Sequence, residues 1–195
     1  YERSYGMKVI IAGDSYSSQI DFRNGLKNVA YTQPYFSWAS ELAKLLSIEN
    51  VSHPGHSLQE IKQSLENKSY DLAIVNFSPI NRLPRNINSS HKLTHLNVKS
   101  ARQLINMPNT YCWSPFPEWE INDGVEVILQ PLDDELWWTK DPKRFDTVTG
   151  NHFTRAGNER LLKHMLKVVR DKKSRALRAT LSTMDDEPRD FEKNK

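Results

Sequence analysis

Four short stretches of this chain carry side chains that could perform acyl-transfer chemistry at a serine. Gly13-Asp14-Ser15-Tyr16-Ser17 presents a hydroxyl directly after an apolar, β-branched run, and Gly13 allows the sharp turn there. The others are His53-Pro54-Gly55-His56-Ser57, Ser78-Pro79-Ile80-Asn81-Arg82 and Gly150-Asn151-His152-Phe153-Thr154. A neutral serine is a poor nucleophile, so it needs a base within hydrogen-bond reach and donors where the carbonyl oxygen becomes negative. Imidazoles, amides and an unobstructed glycine backbone are on offer for both tasks. Taken alone, Gly-Asp-Ser is ordinary turn composition. Its weight comes from the other three stretches.

Further residues invite other chemistry. His91 and His95 are four apart and would share a helical face, with His53 and His56 as a second pair. Two imidazoles without a third ligand make a thin metal site, so these read as surface histidines, and neither metal nor cofactor is expected. Trp113, Phe116, Trp119, Trp137 and Trp138 crowd the stretch 113–138. They could stack on a sugar ring or line an acyl pocket, or pack beneath a long loop, and packing is the more ordinary role. Arg82 and Arg85 could meet an anionic substrate group, although solvated charge is the usual state of such residues.

The elements that must position these groups alternate. Strands are expected at 8–12, 50–52, 72–77, 110–113 and 125–129. Between them, Pro34 opens a helix with a stripe through Phe36, Ala39, Leu42, Ala43, Leu45 and Leu46, and Leu58, Ile61 and Leu65 line a second. Val98, Ala101, Leu104 and Ile105 mark a third, stopped before Pro108, and a last helix runs over 154–169. This alternation predicts an α/β fold with a mostly parallel sheet and right-handed crossovers, whose ligands sit beyond the carboxyl ends of the strands. Three of the four stretches fall at such ends, and the fourth precedes the last helix.

In that order the four stretches resemble the SGNH (GDSL) hydrolase superfamily of esterases and lipases, over residues 7–169. The third and fourth stretches are similar in style to small phage-encoded members. The resemblance implies a flavodoxin-like three-layer sandwich with a five-stranded sheet, strand order 2-1-3-4-5. It makes Ser15 the nucleophile and His152 the general base, within a His-Phe-Thr-x-x-Gly-Asn stretch. The backbone N–H groups of Ser15 and Gly55 and the side-chain amide of Asn81 become the oxyanion donors.

The chain also departs from that pattern. The third stretch has Ser78 where the family has glycine, Asn81 stands one position late, and Arg82 replaces the acid. Asn76 is thus a rival donor, although its place inside a strand favours a structural hydrogen bond. The family's acid lies three residues before the histidine, where this chain has Thr149; Asp146, six before, could bend round to orient His152. The alternative is a Ser–His dyad oriented by a backbone carbonyl, since the third group supplies tautomer and orientation.

The resemblance implies hydrolysis of a carboxylic ester through an acyl-serine, with removal of acetyl from a carbohydrate the leading expectation. The alternatives are an acyltransferase or thioesterase on the same serine, or a non-catalytic binding or virion module of this fold. Activity is expected to rise through about pH 6 to 7 as the imidazole becomes neutral, and a rate flat from pH 5 to 9 speaks against His152 as base.

Composition bounds these readings. The 195 residues suit one domain at 7–170, with 1–6 as the remnant of an appended tag and 171–195 as a charged arm, partly disordered. A hydrophobic fraction of 37% with 7 Gly lies a little below the usual range for globular domains, as polar extensions would make it. No run approaches the length of a membrane span, and no secretory signal is visible. A net charge of +3, from 27 basic and 24 acidic residues, is too balanced to indicate a nucleic-acid partner. The expected partner is a small-molecule or glycan ester, and oligomeric state stays open. The lone Cys112 excludes an intrachain disulfide and reads as a small buried hydrophobe in a reducing, cytoplasmic setting, with a viral origin in keeping with the phage likeness.

Overall fold

Val9-Ile10-Ile11-Ala12 and Leu72-Ala73-Ile74-Val75 are short apolar runs with no polar alternation, which suits strands covered on both faces. In the computed structural model, which describes residues 6–20, 36–84, 93–115, 119, 152, 153 and 155–185, both runs are buried throughout. They form β1 (Val9–Ala12) and β3 (Leu72–Asn76), paired in parallel at the centre of the sheet. β2 (Ile48–Asn50) pairs with the outer side of β1, and β4 (Thr110–Trp113) with the outer side of β3. The sheet order is β2-β1-β3-β4, all parallel. The expected fifth strand at 125–129, and with it the end of the order 2-1-3-4-5, lies outside the described residues.

Side chains alternate across this sheet and feed two separate cores. Val9, Ile11, Leu72, Ile74 and Trp113 point to one face, where helices α1 (Trp38–Leu45) and α4 (Arg155–Asp185) cover them with Trp38, Leu42, Leu161 and Met165. Ile10, Ala12, Ala73 and Val75 point to the other, under α2 (Leu58–Leu65) and α3 (Leu93–Ile105), which contribute Leu58, Ile61, Leu65, Ala101 and Leu104. The result is three layers, with helices on both faces of a parallel sheet. Each fully buried aliphatic side chain in these cores contributes roughly 1.5–3 kcal/mol relative to exposure.

Helix ends show where local sequence decides and where it does not. α2 begins with a capping box: the Ser57 hydroxyl accepts from the Glu60 N–H at 3.3 Å while the Glu60 carboxylate accepts from the Ser57 N–H at 2.7 Å. α1 begins at Trp38 rather than at Pro34, which lies outside the described residues. Phe36 precedes the helix, and Leu45 is 61% exposed instead of joining the stripe. The Ser37 side chain makes no cap; the Trp38 N–H is instead accepted by Asn158 Oδ1 on α4 at 3.2 Å.

Two expected boundaries move. The second strand is Ile48–Asn50 and not 50–52, because Asn50 Oδ1 accepts the Ser52 N–H at 2.9 Å and turns the chain. Pairing with the first loop nevertheless continues, through Val51 N–H to Ile11 O at 2.8 Å and His53 N–H to Gly13 O at 3.1 Å. The last helix, expected over 154–169, is longer than that in α4. The helix continues to Asp185, but the apolar burial through Leu161, Met165 and Val169 ends at Val169 among the described side chains, and 170–179 are mostly exposed.

Candidate active site

Strand order fixes where a site can form. The chain leaves β1 toward β2 and leaves β3 toward β4, in opposite directions, so the loops after β1 and β3 part and open a crevice at the carboxyl edge. Gly13-Asp14-Ser15 and the loop through Asn81 and Arg82 are those two loops.

The turn after β1 is tight and polar inside. The Ser17 N–H bonds to Asp14 O at 3.2 Å, and the Tyr16 N–H to Asp14 Oδ1 at 3.1 Å. Asn76, at the end of β3, donates its Nδ2 to the same Oδ1 at 2.8 Å. A Cβ on residue 13 would lie 1.7 Å from Asn76 Oδ1, so only glycine lets the strand end pass this side chain. Asn76 is therefore occupied in holding the turn, as its place in the strand suggested.

Ser15 stands partly exposed at the top of this turn, and its Oγ lies 2.8 Å from Nε2 of His152. With Nε2 unprotonated, the hydroxyl donates. The Tyr16 ring stacks on the imidazole, with centroids 4.7 Å apart and planes 8° from parallel, and Tyr16 is itself held by its carbonyl accepting Trp38 Nε1 at 2.8 Å. The neighbouring Phe153 is buried against Tyr16 and Trp113, which anchors the backbone of His152 in the core.

Burial, and secondarily the positive charge of Arg82, push the His152 imidazole down to about 4. The expected activity rise at pH 6 to 7 assumed an unperturbed imidazole; a base held this low would titrate through about pH 4 instead. Near neutral pH, His152 is the neutral form that can accept a proton.

Gly55 occupies the third position of a turn over 53–56, with Pro54 before it, φ of 82° and a His56 N–H to His53 O bond of 3.1 Å. These are the marks of a type II turn, which favours glycine there. The His53 to Gly13 ladder bond sets this turn beside the serine loop. The N–H groups of Ser15 and Gly55 make no hydrogen bond among the described residues.

Asn81 is exposed on a turn closed by Arg82 N–H to Pro79 O at 3.0 Å and makes no hydrogen bond among the described residues. The side chain that this loop does bring to the serine turn is Arg82, whose NH1 donates to Asp14 Oδ2 at 2.6 Å. Arg82 is thus paired with a buried acid while its side chain stays partly exposed. Asp14 is completely buried; desolvation raises its pKa, and the Arg82 charge with the Asn76 and Tyr16 bonds opposes that rise. Sequence reasoning missed both this pair and the Tyr16 stack. The readable clue was an acid next to the serine together with a base where the family places an acid.

Asp146 and Thr149, the positions that bear on the orienting acid, lie outside the described residues, as do Arg85, His91, Phe116, Trp137 and Trp138. Trp113 and Trp119 are buried; Trp119 packs edge-on against Phe77 and donates Nε1 to Ser78 O at 2.8 Å, so both serve packing. His53 and His56 stack on each other at 5.2 Å, and His95 is exposed on α3. Cys112 is half-buried, and burial pushes its thiol up to about 12. Among the described residues no helix is long and apolar enough to cross a membrane.

No family model matches the chain, and no curated protein matches it in sequence. Among solved structures it is similar to the crystal structure of the lipase/acylhydrolase from Enterococcus faecalis, with 13% identity and a TM-score of 0.49. The match covers 87% of this chain and 96% of that one.

Proposed function

We propose that the protein is a serine ester hydrolase of the SGNH type. The observation that carries this reading is the 2.8 Å contact between Ser15 Oγ and His152 Nε2, made across 137 positions of sequence at the carboxyl edge of a parallel sheet. In the reaction, Ser15 Oγ attacks the ester carbonyl as His152 takes its proton. The tetrahedral oxyanion is met by the N–H groups of Ser15 and Gly55 and by the Asn81 amide. Collapse expels the alcohol, which receives the proton from His152. His152 then activates water, and hydrolysis of the acyl-serine returns the free enzyme. The third group that orients His152 is Asp146 or a backbone carbonyl. A small acyl group on a carbohydrate, acetyl above all, is the substrate this reading assigns.

A fluorophosphonate probe tests it. The expected result is an adduct on Ser15, absent in Ser15→Ala and weakened in His152→Ala, with acetate released from sugar acetates faster than acyl groups are released from thioesters. A folded protein that takes no label overturns the hydrolase reading.

A further inference from the structure

Arg82 has more donors than its partner uses. Only NH1 of its fork is engaged, on Asp14 Oδ2 at 2.6 Å, whereas a guanidinium that serves only to neutralise a carboxylate gains most by pairing with two N–H groups. The carboxylate is already met by the Tyr16 N–H and Asn76 Nδ2. The remaining guanidinium N–H groups make no hydrogen bond among the described residues, and the side chain is 28% exposed.

The guanidinium is also fixed in place. Asn97 of α3, 1% exposed, donates its Nδ2 to Ile80 O at 2.5 Å and to Arg82 O at 3.1 Å, which clamps the loop on both sides of Asn81. With its backbone clamped and one arm on a buried acid, the group loses little further freedom on binding a ligand. Its charge lies near enough to His152 to disfavour the imidazolium.

We propose that the substrate carries a carboxylate or phosphate that docks on the free edge of Arg82 beside Ser15, so that the ester hydrolysed is an anionic one. This rests on the serine hydrolase reading and narrows its substrate class, for instance from acetylated sugars to acetylated acidic sugars. The anion selects substrate through binding, while the chemistry stays with Ser15 and His152.

The test compares matched esters: 4-nitrophenyl hydrogen succinate against 4-nitrophenyl butyrate, and O-acetylglucuronic acid against O-acetylglucose. The proteins are wild type, Arg82→Lys, which keeps a charge for Asp14, and the double variant Asp14→Asn/Arg82→Gln, which leaves no buried charge unpaired. Wild type is expected to prefer the anionic member of at least one pair. That preference should fall about 10- to 100-fold in both variants, chiefly through KM, the size expected when a hydrogen bond to a charged group is lost. Fluorophosphonate labelling of Ser15 should persist in both. No preference in wild type, or an equal loss for neutral and anionic esters in the variants, overturns the proposal. If wild type takes no label, the hydrolase reading has failed by itself. Calorimetric titration with succinate and with inorganic phosphate then decides the anion site: binding to wild type that weakens in both variants supports it, and equal or absent binding overturns it.

Discussion

The two ends of the same parallel strands are built differently. At the carboxyl end, Asp14, Asn76 and Ser78 are fully buried, and Asp14 receives three hydrogen bonds from three different parts of the chain. At the amino end the polar contacts are exposed: the Lys8 N–H on Asp71 Oδ2 at 2.7 Å, and Lys172 Nζ on Asn109 Oδ1 at 2.6 Å. Water can replace a partner lost at the amino end, but it does not reach the buried side chains of Asp14, Asn76 and Ser78. Substitutions should therefore act cooperatively at one end and almost independently at the other.

The sharpest form of that contrast is kinetic. Ser15→Ala should lower kcat by about 10⁴- to 10⁶-fold, since a nucleophile cannot be replaced by its surroundings. Asp71→Asn, which keeps an oxygen for the Lys8 N–H, should leave kcat/KM within about twofold of wild type. Steady-state kinetics on one ester checks both. A large loss in Asp71→Asn would break the comparison by coupling the two ends.

The next effect is in pH. With the His152 imidazole pushed down to about 4, kcat/KM should rise through about pH 4 and be flat above about pH 5. An imidazole at its ordinary 6.5 would leave only about 1% of the plateau rate at pH 4.5. Flatness from pH 5 to 9, which an unperturbed base forbids, is what the buried one requires; a limb near 6.5 refutes the burial argument. Stability carries the same sign. Below pH 6.5 the unfolded chain takes up a proton that the folded chain refuses until about 4, so this group's contribution is complete above 6.5 and is lost as pH falls toward 4.

Gly13→Ala comes third. Its Cβ would meet Asn76 Oδ1 at 1.7 Å, inside a strand end with no exposed side to yield. Overpacking of this kind costs about 1–3 kcal/mol, and because Asn76 also holds Asp14, labelling of Ser15 should fall along with the melting temperature. Unchanged labelling at a lowered melting temperature would show that the serine turn tolerates the shift.

What the sequence disclosed follows the same division. β1 and β3 were legible because burial on both faces forces uninterrupted Val, Ile, Leu and Ala, a local record of a global position. The meeting of Ser15 with His152 was legible through the order of the four stretches and the resemblance they carry, and the structure brings the two together. The Asp14–Arg82 pair was not, because Arg82 in isolation is compatible with a solvated loop, and only the convergence of two strand ends turns it into the partner of a buried acid. The start of α1 was hidden for a related reason: its first N–H is satisfied by Asn158, 120 positions away, and no local cap marks it. Patterns set by burial are written along the chain, whereas contacts set by topology are not.

The smallest prediction takes the comparison to the solvated surface. Lys68 Nζ lies 2.5 Å from Glu49 Oε1 on the edge strand β2, as close as any ion pair at the site. Distance alone would rank it with Arg82 and Asp14. The two side chains are, however, 39% and 38% exposed, whereas Asp14 is at 0%. In water both ends of the Lys68–Glu49 pair are nearly as well solvated apart as together, so Lys68→Ala should cost no more than about 1 kcal/mol and lower the melting temperature by a few degrees at most. The difference should shrink further in 1 M salt, where screening acts over about 3 Å. A loss larger than this, or one indifferent to salt, would mean that short contacts count alike wherever they lie, and burial would then cease to explain why the two ends of the sheet differ.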